Sequence, residues 1–171
     1  MNQIKLSCIG PSSEIYEALG RMTVLFQNME EALKWFGSQL VNESDYTPGM
    51  ILLNNLAFQR LLDSVTSLVE TSRFGDDSWK ENFVSLKTDI FRAAQQRNQF
   101  VHSTWAGSMD RMVAVRAKRR VSAETWIREH CEVTVEEISQ LNIELERLST
   151  RLVALLEDER LTSLMNEGDG V

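Results

Sequence analysis

Residues 134–158, "TVEEISQLNIELERLSTRLVALLED", decide how the rest of the chain reads. Thr134 and Glu137 stand three apart at the head of an apolar run, the spacing in which a hydroxyl and a carboxylate reciprocally satisfy the first free N–H groups of a helix. Behind them Ile138, Leu141, Leu145, Leu148, Leu152 and Leu155 alternate steps of three and four. This is the period of a helix that buries one stripe along its length against near-parallel neighbours. The segment predicts a capped helix from Thr134 to about Asp158, with an acidic tail over about 159–171.

Upstream, the same periodicity recurs. Leu19, Met22, Phe26, Met29, Leu33, Phe36 and Leu40 predict a helix over Ser13–Val41. Both prolines, Pro11 and Pro48, fall where a helix would begin, and Gly75 and Gly107 fall between periodic segments. Leu52, Leu56, Leu62, Val65 and Val69 predict a second helix over about Pro48–Ser72. A third begins at Asp77 or Ser78, either a good N-cap, and runs to about His102. Four amphipathic helices joined by short turns have few ways to bury their stripes. The expected fold is all-α: an up-down four-helix bundle in one domain spanning 1–171, with a loop or short hairpin inserted over about 103–133. Within that insertion the alternation of "RMVAVRAKRRVS" predicts an extended arm, and "SAETWIREHC" a short extra helix anchored by Trp126 and Ile127.

Composition narrows the function classes. At 171 residues, 43% hydrophobic and 25% charged, the chain has the profile of a folded globular protein. No apolar run reaches the roughly 18–20 residues that cross a bilayer, and the first residues lack the pattern of a secretory signal, so no membrane partner and a cytoplasmic location are expected. Cys8 and Cys131 are isolated, without the spacing of a disulfide framework or zinc knuckle, and the pair His130–Cys131 lacks a third group to align it. No glycine-rich phosphate loop and no repeated Glu-x-x-His are present, so no cofactor or metal is expected. The net charge of −7 speaks against nonspecific nucleic-acid binding. Yet the stretch from Ser103 to Arg120 carries five basic residues, Arg111, Arg116, Lys118, Arg119 and Arg120, against Asp110 alone, a local +4. The last four are candidates for following an RNA backbone.

The third helix carries the one constellation with chemistry in it, "RNQFVH", residues 97–102. On a wheel of about 100° per residue centred on Ile90, the residues Trp79, Phe83, Leu86, Ala94 and Val101 form the buried stripe. Arg97 falls at about −20°, inside that stripe, where an unpaired charge costs several kcal/mol. It therefore needs a partner: Asp63, Glu30 or Glu31 on another helix, a second chain, or a phosphate. Asn98 and His102 lie four residues apart on one flank, with Phe91 between them in angle.

These residues resemble the R-x4-6-H motif of the HEPN superfamily, helical-bundle proteins that bear it at the end of an inner helix, commonly with a polar residue such as Asn after the arginine. The resemblance implies a metal-independent endoribonuclease acting as a homodimer, with Arg97, Asn98 and His102 as the catalytic set and RNA as substrate. It further implies a toxin or defence setting, with an antitoxin or other protein as partner. RNA supplies its own nucleophile, the 2′-hydroxyl. A histidine, whose ordinary pKa is about 6.5, suits the proton transfer, and an arginine suits the phosphate and its developing charge. Trp105 is a candidate for stacking on a base, and equally for anchoring the loop. Where toxin members carry a tyrosine two residues after the histidine, this chain has Thr104, which sets aside control by modification there. The same shape also serves superfamily members that have lost catalysis, so a non-catalytic dimerisation or adaptor module is the second expectation.

Overall fold

The computed structural model describes residues 12–73, 75–108, 111–119 and 126–168. The fold is an all-α helical bundle into which a small β-sheet is inserted before the last helix. Five helices and three strands are present among the described residues: α1 (Ser13–Val41), α2 (Thr47–Leu53), α3 (Phe58–Thr71), α4 (Asp77–Val101), β1 (Thr104–Ser108), β2 (Arg111–Arg119), β3 (Trp126–Glu132) and α5 (Val135–Gly168). The chain divides into two compact units. One comprises the described residues up to Val24 with Ala93–Glu144, the other Leu25–Arg92 with the residues from Leu145 onward.

The second unit holds most of the apolar core. Met29, Leu33 and Phe36 of α1, Leu61, Leu62 and Val65 of α3, Phe83 and Ile90 of α4, and Leu145, Leu148 and Leu152 of α5 are all fully buried. Phe36 stacks on both Trp79 and Phe83, with ring centroids 5.8 and 5.2 Å apart. At the start of α4 Trp79 meets Leu155, and ten residues later Asp89 meets Arg151, so α4 and α5 run antiparallel here. Phe26 lies against Phe58 at 5.1 Å, and the Val65 side chain covers Gly37. Hence α3 advances in the same sense as α1.

That arrangement corrects the expectation of one second helix over Pro48–Ser72. The chain breaks at 54–57, beginning with Asn54 and Asn55, giving α2 and α3 different phases. Leu53 is buried, whereas Leu52, assigned to the stripe, is 65% exposed. The α2 return is possible because Gly49 rests on the backbone of Ser38: a β carbon there would stand 2.5 Å from Ser38 Cα. Between α3 and α4 the turn uses Gly75 at φ 77°, a left-handed conformation that glycine adopts without steric cost. The cap of α4 is Asp76, whose Oδ1 accepts the Trp79 N–H at 2.8 Å, one residue earlier than expected.

In the first unit Ile15, Ala18 and Met22 of α1, Ala93 and Ala94 of α4, and Val133, Ile138 and Leu141 are buried. The capping box closes as the sequence predicts, Thr134 N–H donating to Glu137 Oε2 at 2.9 Å and Glu137 N–H to Thr134 Oγ1 at 3.2 Å. The insertion is a three-stranded antiparallel sheet in the order β1-β2-β3, with Thr104 opposite Val115 and Arg119 opposite Trp126. The short helix expected in "SAETWIREHC" is therefore overturned: Trp126–Glu132 is β3, because pairing with β2 outweighs its local helical bias. The expected acidic tail is also shortened, since α5 continues to Gly168, with no Pro or Gly in its way before that residue. Residues 169–171, and Cys8 and Pro11 at the other end, lie outside the described residues.

Candidate functional site

The motif lies where α4 ends and the chain turns into β1. Asn98 O accepts the His102 N–H at 3.1 Å, the last bond of the helical ladder, which leaves His102 one residue past the helix terminus and exposed. Among the described residues its imidazole has no hydrogen-bond partner. Asn98 is also exposed, on the same flank. Its Oδ1 accepts from Arg97 Nη1 at 3.0 Å. A charge-assisted bond of this kind fixes the plane of the guanidinium and ties the two residues into one unit.

Arg97 is half-buried, not fully buried as its place in the apolar stripe predicts. The stripe itself fades toward the helix end: Ala94 is 3% exposed and Val101 41% exposed, which corrects the assignment of Val101 to the core. The side chain thus reaches from a packed region toward the surface, as long arginine side chains do. Of the carboxylates suggested as its partners, Glu31 pairs with Lys34 at 2.7 Å, and Asp63 accepts from Gln59 at 3.1 Å. Asn98 is one partner of the Arg97 guanidinium.

Two further contacts fasten the turn that carries His102. Ser103 Oγ donates to Gln99 O. Trp105 donates its indole N–H to Phe100 O at 3.1 Å and tilts against the Phe100 ring, with centroids 6.5 Å apart. Trp105 is half-buried, so it anchors β1 to the end of α4 on one side of the histidine. The sequence offered anchoring and base stacking as alternatives, and the anchoring contact is present. Of the basic strip, Arg116, Lys118 and Arg119 contribute their backbone to β2, opposite Glu129, Ile127 and Trp126. Their side chains, and Arg120 altogether, lie outside the described residues, as do the side chains of His130 and Cys131 in β3.

A feature that sequence reasoning missed lies in the same unit. Glu14, Glu17, Ala18 and Arg21 of α1 and Val135, Ser139, Asn142 and Ile143 of α5 line a groove of about 330 Å³. Asn142, 3% exposed, donates its Nδ2 to Ala18 O at 3.1 Å, while its Oδ1 is buried without a hydrogen-bond partner among the described residues. The sequence carries a signal for it, a short amide one step from Leu141 in the heptad stripe. Nothing in the pattern says which backbone group it meets.

Among the described residues no three His, Cys, Asp or Glu side chains gather as a metal site, and no helix is long and apolar enough to cross a membrane. No family model, no curated protein and no solved structure matches the chain.

Proposed function

We infer that the chain is a HEPN-like, RNA-binding protein that works as a homodimeric, metal-independent endoribonuclease, with Arg97, Asn98 and His102 as its catalytic set. The single observation that carries this reading is the arrangement at the end of α4: an exposed imidazole one residue beyond the helix, and a guanidinium bonded to the adjacent amide at 3.0 Å. In the reaction, the ribose 2′-oxygen forms a bond to the neighbouring phosphorus as the bond to the 5′-oxygen breaks. The products are a 2′,3′-cyclic phosphate and a free 5′-hydroxyl. His102 takes the proton from the 2′-hydroxyl or delivers one to the leaving oxygen, and a second copy supplies the other role. Arg97 holds the phosphate oxygens as charge grows on them, and Asn98 fixes the guanidinium for that task. A cytoplasmic toxin restrained by an antitoxin is the setting that goes with this chemistry.

One observation favours the second reading, a dimerisation or adaptor module. The Arg97–Asn98 bond is also what a structural network capping α4 would contain. Incubation of RNA with the purified chain in the presence of a chelator separates the two. The enzyme reading expects cyclic-phosphate ends, and a loss of about 10²–10⁴ in rate for His102→Ala at unchanged Tm. Intact RNA with the wild-type chain, together with a large loss of stability in Arg97→Ala, would establish the adaptor.

A further inference from the structure

The groove between α1 and α5 in the first unit, about 330 Å³ in volume, gathers acceptors that the fold leaves unused. Its floor is Ala18 and Asn142, 8% and 3% exposed, and its rim is Glu14, Glu17 and Ile143, all exposed. Asn142 donates its Nδ2 to Ala18 O at 3.1 Å, a bond that settles which end of the amide is the oxygen. That oxygen, Oδ1, is buried with no donor among the described residues. Neither the Glu14 nor the Glu17 carboxylate has a hydrogen bond or ion pair with another described residue, and the Ser139 hydroxyl has none either.

These groups lack the same two things, a donor and a positive charge. Glu14 and Glu17 stand three apart on one face of α1, where like charges repel. Arg21 is the one cation among the lining residues, and it is already engaged. Asn142 Oδ1 is out of reach of water, so the negative end of its dipole acts unscreened on whatever lies above it. An anion is therefore excluded and a cation favoured. The acceptors are separate groups on two helices, carboxylates on α1 and an amide and a hydroxyl on α5. A guanidinium, whose planar fork suits the two oxygens of a single carboxylate, matches them less well than an ammonium, whose three donors diverge. Ala18, Val135 and Ile143 add an aliphatic wall, which a bare metal ion would not use and a methylene chain would.

We propose that this groove binds a primary ammonium group carried on an aliphatic chain. The charge sits between Glu14 and Glu17, its N–H groups donate to those carboxylates and to Ser139 Oγ, and Asn142 Oδ1 stabilises it from the floor. The methylene stem lies along Val135 and Ile143. A free polyamine and a lysine side chain of a partner protein both present this chemistry. The site uses no residue of the arginine–histidine motif and stands or falls apart from it.

The test is a titration of the ¹⁵N-labelled full chain with butylammonium chloride, beside sodium chloride at the same ionic strength and 1-butanol at the same concentration. Saturable shifts of the Asn142 side-chain amide and of the Ala18 and Ser139 backbone amides are expected with butylammonium alone. Glu14→Gln with Glu17→Gln, both at exposed positions, weakens binding about tenfold. Asn142→Leu weakens it about threefold, read from the Ala18 and Ser139 amides, with the rest of the spectrum showing the fold intact. Spermidine and N-acetyl-lysine methylamide then separate the two sources: the natural ligand class is the one whose affinity falls further in the Glu14→Gln, Glu17→Gln variant. Shifts that sodium chloride reproduces, or that survive the double substitution unchanged, overturn the site.

Discussion

The indole N–H of Trp79, in the first turn of α4, donates to the backbone carbonyl of Leu155 in α5 at 2.8 Å. The same ring stacks on Phe36 and covers Gly75, so one side chain joins α1, the α3–α4 turn, α4 and α5 within the second unit. Trp79→Phe keeps most of the apolar area and loses the bond, leaving a carbonyl that accepted it. A loss of about 1–2 kcal/mol in urea unfolding is expected. Trp79→Ala removes the ring as well and should cost about 3–5 kcal/mol.

The glycines give a contrast of sign. A β carbon at Gly20, in the exposed part of α1, meets nothing within 4 Å. Gly20→Ala should therefore stabilise by about 0.5–1 kcal/mol through helix propensity and the unfolded chain's reduced freedom. At Gly49 the same carbon would stand 2.5 Å from Ser38 Cα and 2.9 Å from Ser38 O, backbone that cannot rotate away. Gly49→Ala should lower Tm, with the α2 return displaced. Thermal melts of the two variants beside the wild type decide both.

Acid should act on the turn before α2. The Thr47 side chain, and then its backbone N–H at 2.9 Å, hold the Asp45 carboxyl below the usual carboxylate range. A group whose pKa is depressed on folding adds stability above its unfolded pKa, and that stability is lost as pH falls through the folded value. Wild type should thus exceed Asp45→Asn in Tm at neutral pH. The gap should close as pH drops below about 4, where an ordinary aspartate protonates. Because Asp45 is exposed, the effect is small, and added salt should shrink it further. A gap that widens on acidification would contradict the assignment.

Asn142 tests what its buried amide is for. Its Nδ2 serves Ala18 O, and its Oδ1 serves no described residue. Replacing the whole amide by an apolar group of like shape removes one bond and one unsatisfied acceptor together. Asn142→Leu is expected within about 1 kcal/mol of wild type, whereas Asn142→Ala leaves a void and should cost about 2 kcal/mol or more. A loss of that size in Asn142→Leu would show that the amide holds α1 to α5 by its hydrogen bonding.

The parts of the fold legible in the sequence are those set by local period and local caps. Met22 through Phe36 of α1, Trp79 through Ala94 of α4 and Ile138 through Leu152 of α5 are buried as their spacing predicts, and the Thr134–Glu137 box forms. Further along α5 the strict heptad selects Leu155, but the buried residue is Leu156, because 3.6 residues per turn drift away from a seven-residue repeat. What the pattern could not carry is non-local. Whether Trp126–Glu132 is helix or strand depends on β2, and the break between α2 and α3 depends on the seat that Ser38 offers Gly49. At the candidate site, the side-by-side placement of Asn98 and His102 was legible from their four-residue spacing. The bond from Arg97 to Asn98 was not, because neighbours in sequence point about 100° apart on a helix and only the length of the arginine closes that gap. The contact of Asp89 with Arg151 joins positions some sixty residues apart, and neither helix alone announces it.

The seat of Gly49 on Ser38, together with Gly75 beneath the Trp79 ring, has a consequence for ancestry. A descendant of this chain can exchange one apolar core residue for another of similar volume and repack around it. It has no such latitude where a single added carbon meets backbone, or where a ring lies across a left-handed turn. Drift should therefore erase the leucine pattern before it erases the Pro48–Gly49 pair or the Gly75-x-x-x-Trp79 spacing. Those few letters, more than the six of the arginine–histidine motif, are the durable mark by which distant kin of this fold would be known.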